Sequence, residues 1–239
     1  MKAWTLVTGG AKGLGAEICR TLAKKGCNIV VHYNTSFAQA QEVVDECLRE
    51  GVFADCIQGD FSTCQTTQDF IQNYLSRFPM TENLINNVGN YFLGSALETS
   101  LQNWCVLFQT NLHAPLALIQ ALTPSLKESK GNIINIGVAG IANVRTDTYS
   151  TAYSTTKTAL WMLTRSLASQ LSSFGVRVNM VSPGYLQNSV DFPKNPVDLP
   201  MGRLGTLEET ARVVAFLLDP ASSYITGQNL EVAGGVRLT

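Results

Sequence analysis

Tyr153 and Lys157 stand four residues apart in a helical pattern, so their side chains share one face. A free phenol has a pKa of about 10, too high for efficient proton exchange at neutral pH, and a neighbouring ammonium favours phenolate and lowers that value. Such a pair suits protonation of a carbonyl oxygen as hydride arrives at its carbon.

Thr8-Gly9-Gly10-Ala11-Lys12-Gly13-Leu14-Gly15 follows an apolar run and precedes an amphipathic helical stretch. Glycines let the backbone approach a pyrophosphate, and a helix N-terminus offers it free N–H groups and a positive dipole. The placement between strand and helix is what lifts this turn above a chance match. A site for NAD normally places an acid about 20 residues beyond the glycine motif, to bind the ribose 2′-hydroxyl. Here no Asp or Glu lies between Glu17 and Glu42, and the second strand runs out into His32-Tyr33-Asn34-Thr35-Ser36. Asn34 and Ser36 offer neutral hydrogen bonds, and Lys12 offers a positive charge that a 2′-phosphate would favour. The expected cofactor is NADP(H).

These residues need elements to hold them. Short β-branched runs at 5–8, 28–31, 84–86, 133–136 and 176–181 are apolar on both faces, as central strands of a parallel sheet should be. A further strand closes at Asp60, before Phe61. Helical patterns lie between them at 14–25, 38–50, 66–77, 101–127, 149–173 and 208–218. Strand–helix alternation predicts a doubly wound α/β (Rossmann) fold, mostly parallel, with helices on both faces and one domain over 1–239. The irregular stretch from Pro183 to Leu204 is the expected substrate loop.

Composition narrows the partners. The chain has 239 residues, 45% hydrophobic and 15% charged, with net charge −1 and no basic stripe, so neither nucleic acid nor an anionic membrane is expected. No leader is expected ahead of Thr5, and no apolar stretch was expected to reach the ~20 residues of a membrane span. Six cysteines without a C-x-x-C pair predict buried free thiols in a reducing cytoplasm, with no metal site and no disulfide framework.

The glycine motif, with T-G-x-x-x-G-x-G spacing, resembles that of the short-chain dehydrogenase/reductase family. The likeness continues through Asn86-Asn87-Val88-Gly89, Asn111, Tyr153-x-x-x-Lys157, Pro183-Gly184 and Ile225-Thr226-Gly227-Gln228. It implies roles. Tyr153 would be the acid, Lys157 would also hold the nicotinamide ribose, and Asn111 would hold a water linking Lys157 to solvent. Gly9, Gly13, Leu14, Gly15, Asn87, Gly89, Pro183 and Gly184 would line the cofactor site. Lys12 would face the 2′-phosphate, and Asp60 with Phe61 the adenine. Asn188 or Ser189 would contact the nicotinamide amide, where relatives often carry Thr. Related proteins are commonly homotetramers built on the two long helices, which here carry Trp104, Leu107, Phe108, Trp161, Leu163 and Leu167.

One family residue is missing. A serine shortly after the fifth strand normally bonds the substrate carbonyl, and Gly137 aligns with it here. Thr146, Thr148 or Ser150 is expected to substitute, or the substrate or a water supplies the group, or catalysis is impaired in a protein that still binds cofactor. Within the family the chain is most similar to 3-oxoacyl-acyl-carrier-protein reductases, notably at Met201-Gly202-Arg203-Leu204-Gly205, which implies a 3-oxoacyl thioester substrate. His32-Tyr33-Asn34-x-Ser36 resembles pteridine reductases, and another small ketone, sugar or steroid is a further alternative. The loop 185–204 holds Pro193, Pro196 and Pro200 and only Lys194 and Arg203 as positive groups, a thin rim for a carrier protein.

Overall fold

Strand residues alternate between faces, and here both faces are apolar. Leu6, Val30, Leu84, Ile133 and Val178 pack to one side, and Val7, Val31, Ile85, Ile134 and Val181 to the other, all fully buried. Two helical layers are needed to cover such a sheet, and the computed structural model, which describes residues 3–143, 146–189 and 196–236, has them. In chain order it runs β1 (Trp4–Val7), α1 (Gly13–Ala23), β2 (Asn28–Tyr33), α2 (Phe37–Arg49), β3 (Ala54–Gln58), α3 (Cys64–Arg77) and β4 (Thr81–Asn86). Then come α4 (Leu101–Phe108), a π-helical turn (Gln109–His113), α5 (Ala114–Ser129), β5 (Asn132–Ile136), α6 (Thr151–Leu171), β6 (Arg177–Pro183), α7 (Leu207–Leu218) and β7 (Asn229–Val232).

The strands form one sheet in the order β3-β2-β1-β4-β5-β6-β7, with every pairing parallel. Helices α1, α2 and α7 cover one face, and α3, α5 and α6 the other. The order reverses between β1 and β4. Loops leaving the carboxyl ends of those two strands diverge and open a crevice, where ligands of such sheets bind.

Several expectations need correction. The helical pattern over 101–127 is not one regular helix. It changes register at the π-helical turn, where Asn111 lies fully buried, and such turns concentrate at functional sites. Pro183 ends β6 rather than opening the loop, and β7 went unread because Asn229-Leu-Glu-Val is short and mixed. The helical span Leu101–Ser129 is long and apolar enough by length and composition to cross a membrane, contrary to expectation, although half of its most apolar window is buried in the fold. All six cysteines are free, but only Cys19 and Cys47 are buried, while Cys64 and Cys105 are exposed. Among the described residues no group of His, Cys, Asp and Glu could hold a metal ion. Pro193 and Lys194 lie outside the described residues.

Candidate active site

The glycine turn is pinned from three sides. Thr8 Oγ1 accepts the backbone N–H groups of Asn87 and Val88 at 2.9 and 3.1 Å, and Asn87 Nδ2 donates to Thr8 O at 2.9 Å. Gly9 N–H donates to His32 Nδ1 at 2.9 Å, and His32 Nε2 meets Gly59 O at 3.1 Å. His32 stacks on Phe61 with ring centroids 4.3 Å apart and 4° between planes. Burial pushes the His32 pKa down to about 4, outweighing Gly59 O and Asp60, which both raise it. The ring is therefore neutral and brings no charge to the 2′-phosphate region.

The residues present fit a dinucleotide. A Cβ on Gly15 would lie 2.2 Å from Gly9 O, so only glycine allows the turn to fold this tightly onto α1. Helix α1 starts after Lys12 with no side-chain cap, which leaves its first N–H groups to an anion. Gly13 takes φ +52°, a left-handed conformation that favours glycine. A Cβ there would lie 2.4 Å from Asn188 Nδ2, so the loop after β6 reaches the phosphate cradle. Ser189 Oγ accepts from Leu186 N at 2.9 Å, which leaves the Asn188 amide as the freer side chain of the two. Lys12, Asn34 and the edge of Ser36 are solvent-accessible at this end. Asp60 accepts from Ser62 N and Ser62 Oγ at 2.9 and 2.7 Å, and the cap of α3 is Thr63 instead. The Phe61 side chain is buried under His32, so only its backbone is available to an adenine.

At the other end of the crevice, Tyr153 and Lys157 rise from the first two turns of α6. Lys157 is 3% exposed, and its Nζ donates to Ile136 O at 2.8 Å. Asn111 accepts from Asn90 N at 2.8 Å and donates to Asn90 O at 2.9 Å and Thr156 Oγ1 at 3.1 Å. Gly89 leaves a gap between them: a Cβ there would be 3.2 Å from Lys157 Nζ and 3.7 Å from Asn111 Oδ1. Burial pushes Lys157 down to about 8.

The expected lowering of the Tyr153 pKa is overturned. Burial pushes the phenol up, and Tyr91, edge-on with ring centroids 4.8 Å apart, pushes it the same way. Lys157 Nζ is 5.7 Å from the Tyr153 ring centroid and bound to Ile136 O, too far and too engaged to reverse this. Tyr153 is thus a neutral phenol at neutral pH, the protonation state of an acid.

Tyr153 lines a cavity of about 480 Å³ with Gly89, Asn188 and the arm from Gly137 to Ile141. A shallower hollow of about 560 Å³ beside Arg203, Glu208 and Arg212 shares none of these residues and holds no acid–base pair of this kind. Gly137 cannot be the seat of a lost serine. A Cβ there would lie 2.4 Å from Ser182 Oγ and 2.7 Å from Met180 Sδ, so it would point into β6. Val138, one residue on, lines the cavity as well. Of the expected substitutes, Thr146 and Ser150 line it and Thr148 does not. Tyr91, Tyr149, Tyr185, Asp147 and Ser154 line it as well and were not singled out from sequence. Asp147 carried a readable signal, since Asp three residues before Ser150 at a helix start is a capping pattern.

A sheet of this order with a glycine turn at its switch point and a buried Tyr–Lys pair across the crevice defines a nicotinamide-dinucleotide oxidoreductase. The comparisons agree. A family model described as Enoyl-(Acyl carrier protein) reductase matches residues 9–237. The 3-oxoacyl-acyl-carrier-protein reductase FabG of Staphylococcus epidermidis is 32% identical over 97% of each chain. Acetoin dehydrogenase from Salmonella typhimurium superposes with TM-score 0.90 at 27% identity, covering 100% of this chain and 97% of that one. A blue fluorescent protein from a metagenomic library, solved with NADPH, gives TM-score 0.88 at 31% identity over 99% and 98%. The chain belongs to the short-chain dehydrogenase/reductase family and is an oxidoreductase of that family.

Proposed function

We propose that the protein reduces a ketone to a secondary alcohol with NADPH, and that Tyr153 donates the proton. The observation that carries this is the placement of Tyr153 in the cavity wall, one helical turn from the buried Lys157. Bound NADPH supplies the hydride. Gly9, Gly13, Leu14 and Gly15 at the head of α1, with Gly89, Pro183 and Gly184 across the crevice, would hold it. Asn87 ties the glycine turn in place. Lys12, Asn34 and Ser36 would meet the 2′-phosphate, and the absence of an acid there supports NADP over NAD. Lys157 would hold the nicotinamide ribose and restore the Tyr153 proton through the gap beside Asn111. NADPH oxidation with a panel of ketones tests the reading. Turnover abolished by Tyr153→Phe supports it, and NADPH binding without turnover on any ketone overturns it.

Two substrate classes compete. The thioester rests on similarity to FabG, and a small ketone on likeness to acetoin dehydrogenase. Arg203 favours the second. Its guanidinium is held by Glu209 at 3.0 and 2.6 Å, so this cation of the loop is already paired and offers less to an acidic carrier protein. Of the proposed substrate loop 185–204, Tyr185, Leu186, Asn188 and Ser189 line the cavity in either case. The pteridine reading has less support, since His32 is buried as part of the core.

We further propose that the protein is a cytoplasmic homotetramer. Leu101 and Met162 on α4 and α6 are 79% and 72% exposed, an apolar surface suited to helix pairing between subunits.

A further inference from the structure

Asp147 sits in the loop ahead of α6, and its carboxylate is saturated by its own chain. Oδ1 accepts the backbone N–H groups of Tyr149 at 2.9 Å and Ser150 at 2.8 Å. Oδ2 accepts the Ser150 hydroxyl at 3.0 Å and the Ser154 hydroxyl at close range. A carboxylate has roughly four lone-pair sites, so none is left over. Burial opposes its ionisation, but the hydrogen bonds from Ser154, Ser150 and Tyr149 prevail and hold its pKa below the usual carboxylate value.

The consequence falls on the serines. A hydroxyl has one proton and two lone pairs, and both protons are directed at Asp147. Ser150 and Ser154 line the same cavity as Tyr153, so what they present to a substrate is lone pairs. Ser150 therefore cannot take over from the missing serine, because a developing oxyanion needs a donor. We infer that Ser150 and Ser154, oriented by Asp147, select a substrate carrying its own hydrogen-bond donor beside the reacting carbonyl, namely a hydroxyketone. A hydroxyl there donates its one proton to one of two acceptors that a plain ketone leaves without a donor, and an unmatched polar group in a site discriminates strongly against an analogue. This rests on the reading of the protein as a ketone reductase.

The polarity can be reversed. In Asp147→Asn the side-chain oxygen still caps Tyr149 and Ser150, while the amide NH2 faces the serines and obliges them to accept. Their protons then turn to the cavity. The measurement is kcat/KM for NADPH oxidation with 3-hydroxybutan-2-one against butan-2-one, which differ by that hydroxyl. The native enzyme should prefer the hydroxyketone by about 10–100-fold, and Asp147→Asn should shrink this ratio about tenfold, in part by raising the rate on butan-2-one. Ser154→Ala, which leaves three of the four donors on Asp147, should also shrink it and covers the case of an unstable Asp147→Asn. Turnover of both ketones with equal kcat/KM, or an unchanged ratio in folded variants, overturns the inference alone. No turnover on any ketone overturns the reductase reading and the inference with it.

Discussion

Gly9 donates its backbone N–H to His32 Nδ1 at 2.9 Å. The bond joins the cofactor turn after β1 to the end of β2, and it fixes the ring tautomer. Because Nδ1 accepts, Nε2 must carry the proton that reaches Gly59 O. Substitutions separate the two bonds. In His32→Asn, Oδ1 stands in for Nδ1 and can keep the Gly9 bond, so KM for NADPH should stay within about threefold of native. His32→Leu loses both and should raise that KM about tenfold with kcat little changed, as expected for one lost hydrogen bond to a buried N–H of roughly 1–3 kcal/mol. Equal KM values for both variants would show that the bond does not position the turn.

The same histidine makes the fold sensitive to acid. Its pKa is about 4 when folded against 6.5 ordinarily, so between those values the unfolded chain binds more protons and folding is penalised. Stability should be unaffected by this group above about pH 6.5, should decline as pH falls from there to about 4, and should lose on the order of 3 kcal/mol in total. Urea unfolding of native and His32→Asn across this range measures it. The variant should show the shallower decline.

Lys157 sets the alkaline limit. Burial lowers its pKa from 10.5 to about 8, so the ammonium loses its proton as pH rises through 8. Tyr153 stays protonated well beyond that point. The kcat/KM for NADPH reports groups of the free enzyme, and it should fall roughly tenfold per pH unit above about 8. A profile flat to pH 10 would remove Lys157 from cofactor capture.

At the cofactor end the proposed role of the Lys12 charge can be tested by reversing it. Lys12→Glu should raise KM for NADPH by about 10–100-fold, the range of a charge-assisted hydrogen bond, and leave NADH turnover almost unchanged. Equal effects on the two cofactors would place the 2′-phosphate elsewhere.

Gly137→Ser should not restore a catalytic hydroxyl. The new Cβ meets Ser182 Oγ and Met180 Sδ, both residues fully buried in β6, and overpacking of this kind costs about 1–3 kcal/mol. A lower melting temperature with no gain in activity is expected. A gain in rate on any ketone would contradict the geometry around β6.

Much of this protein is determined by its sequence alone. Runs such as Ile133–Ile136, with apolar residues on both faces and one polar residue, Asn135, require burial on both faces, and helical segments between them leave a doubly wound parallel sheet as the outcome. The turn from Gly9 to Gly15, the Tyr153–Lys157 spacing and the missing acid after β2 are local facts, so they were readable in place. The tertiary structure decided the rest, because it depends on contacts between distant segments. His32 became a neutral core group only when β3 and α3 closed over it. Gly137 was excluded as a serine position by Met180 and Ser182, more than forty residues on. Tyr153 and Lys157 began as a pair in which an ammonium lowers a phenol, and burial reversed that: each group is pushed toward its neutral form, and Tyr153 is left holding its proton.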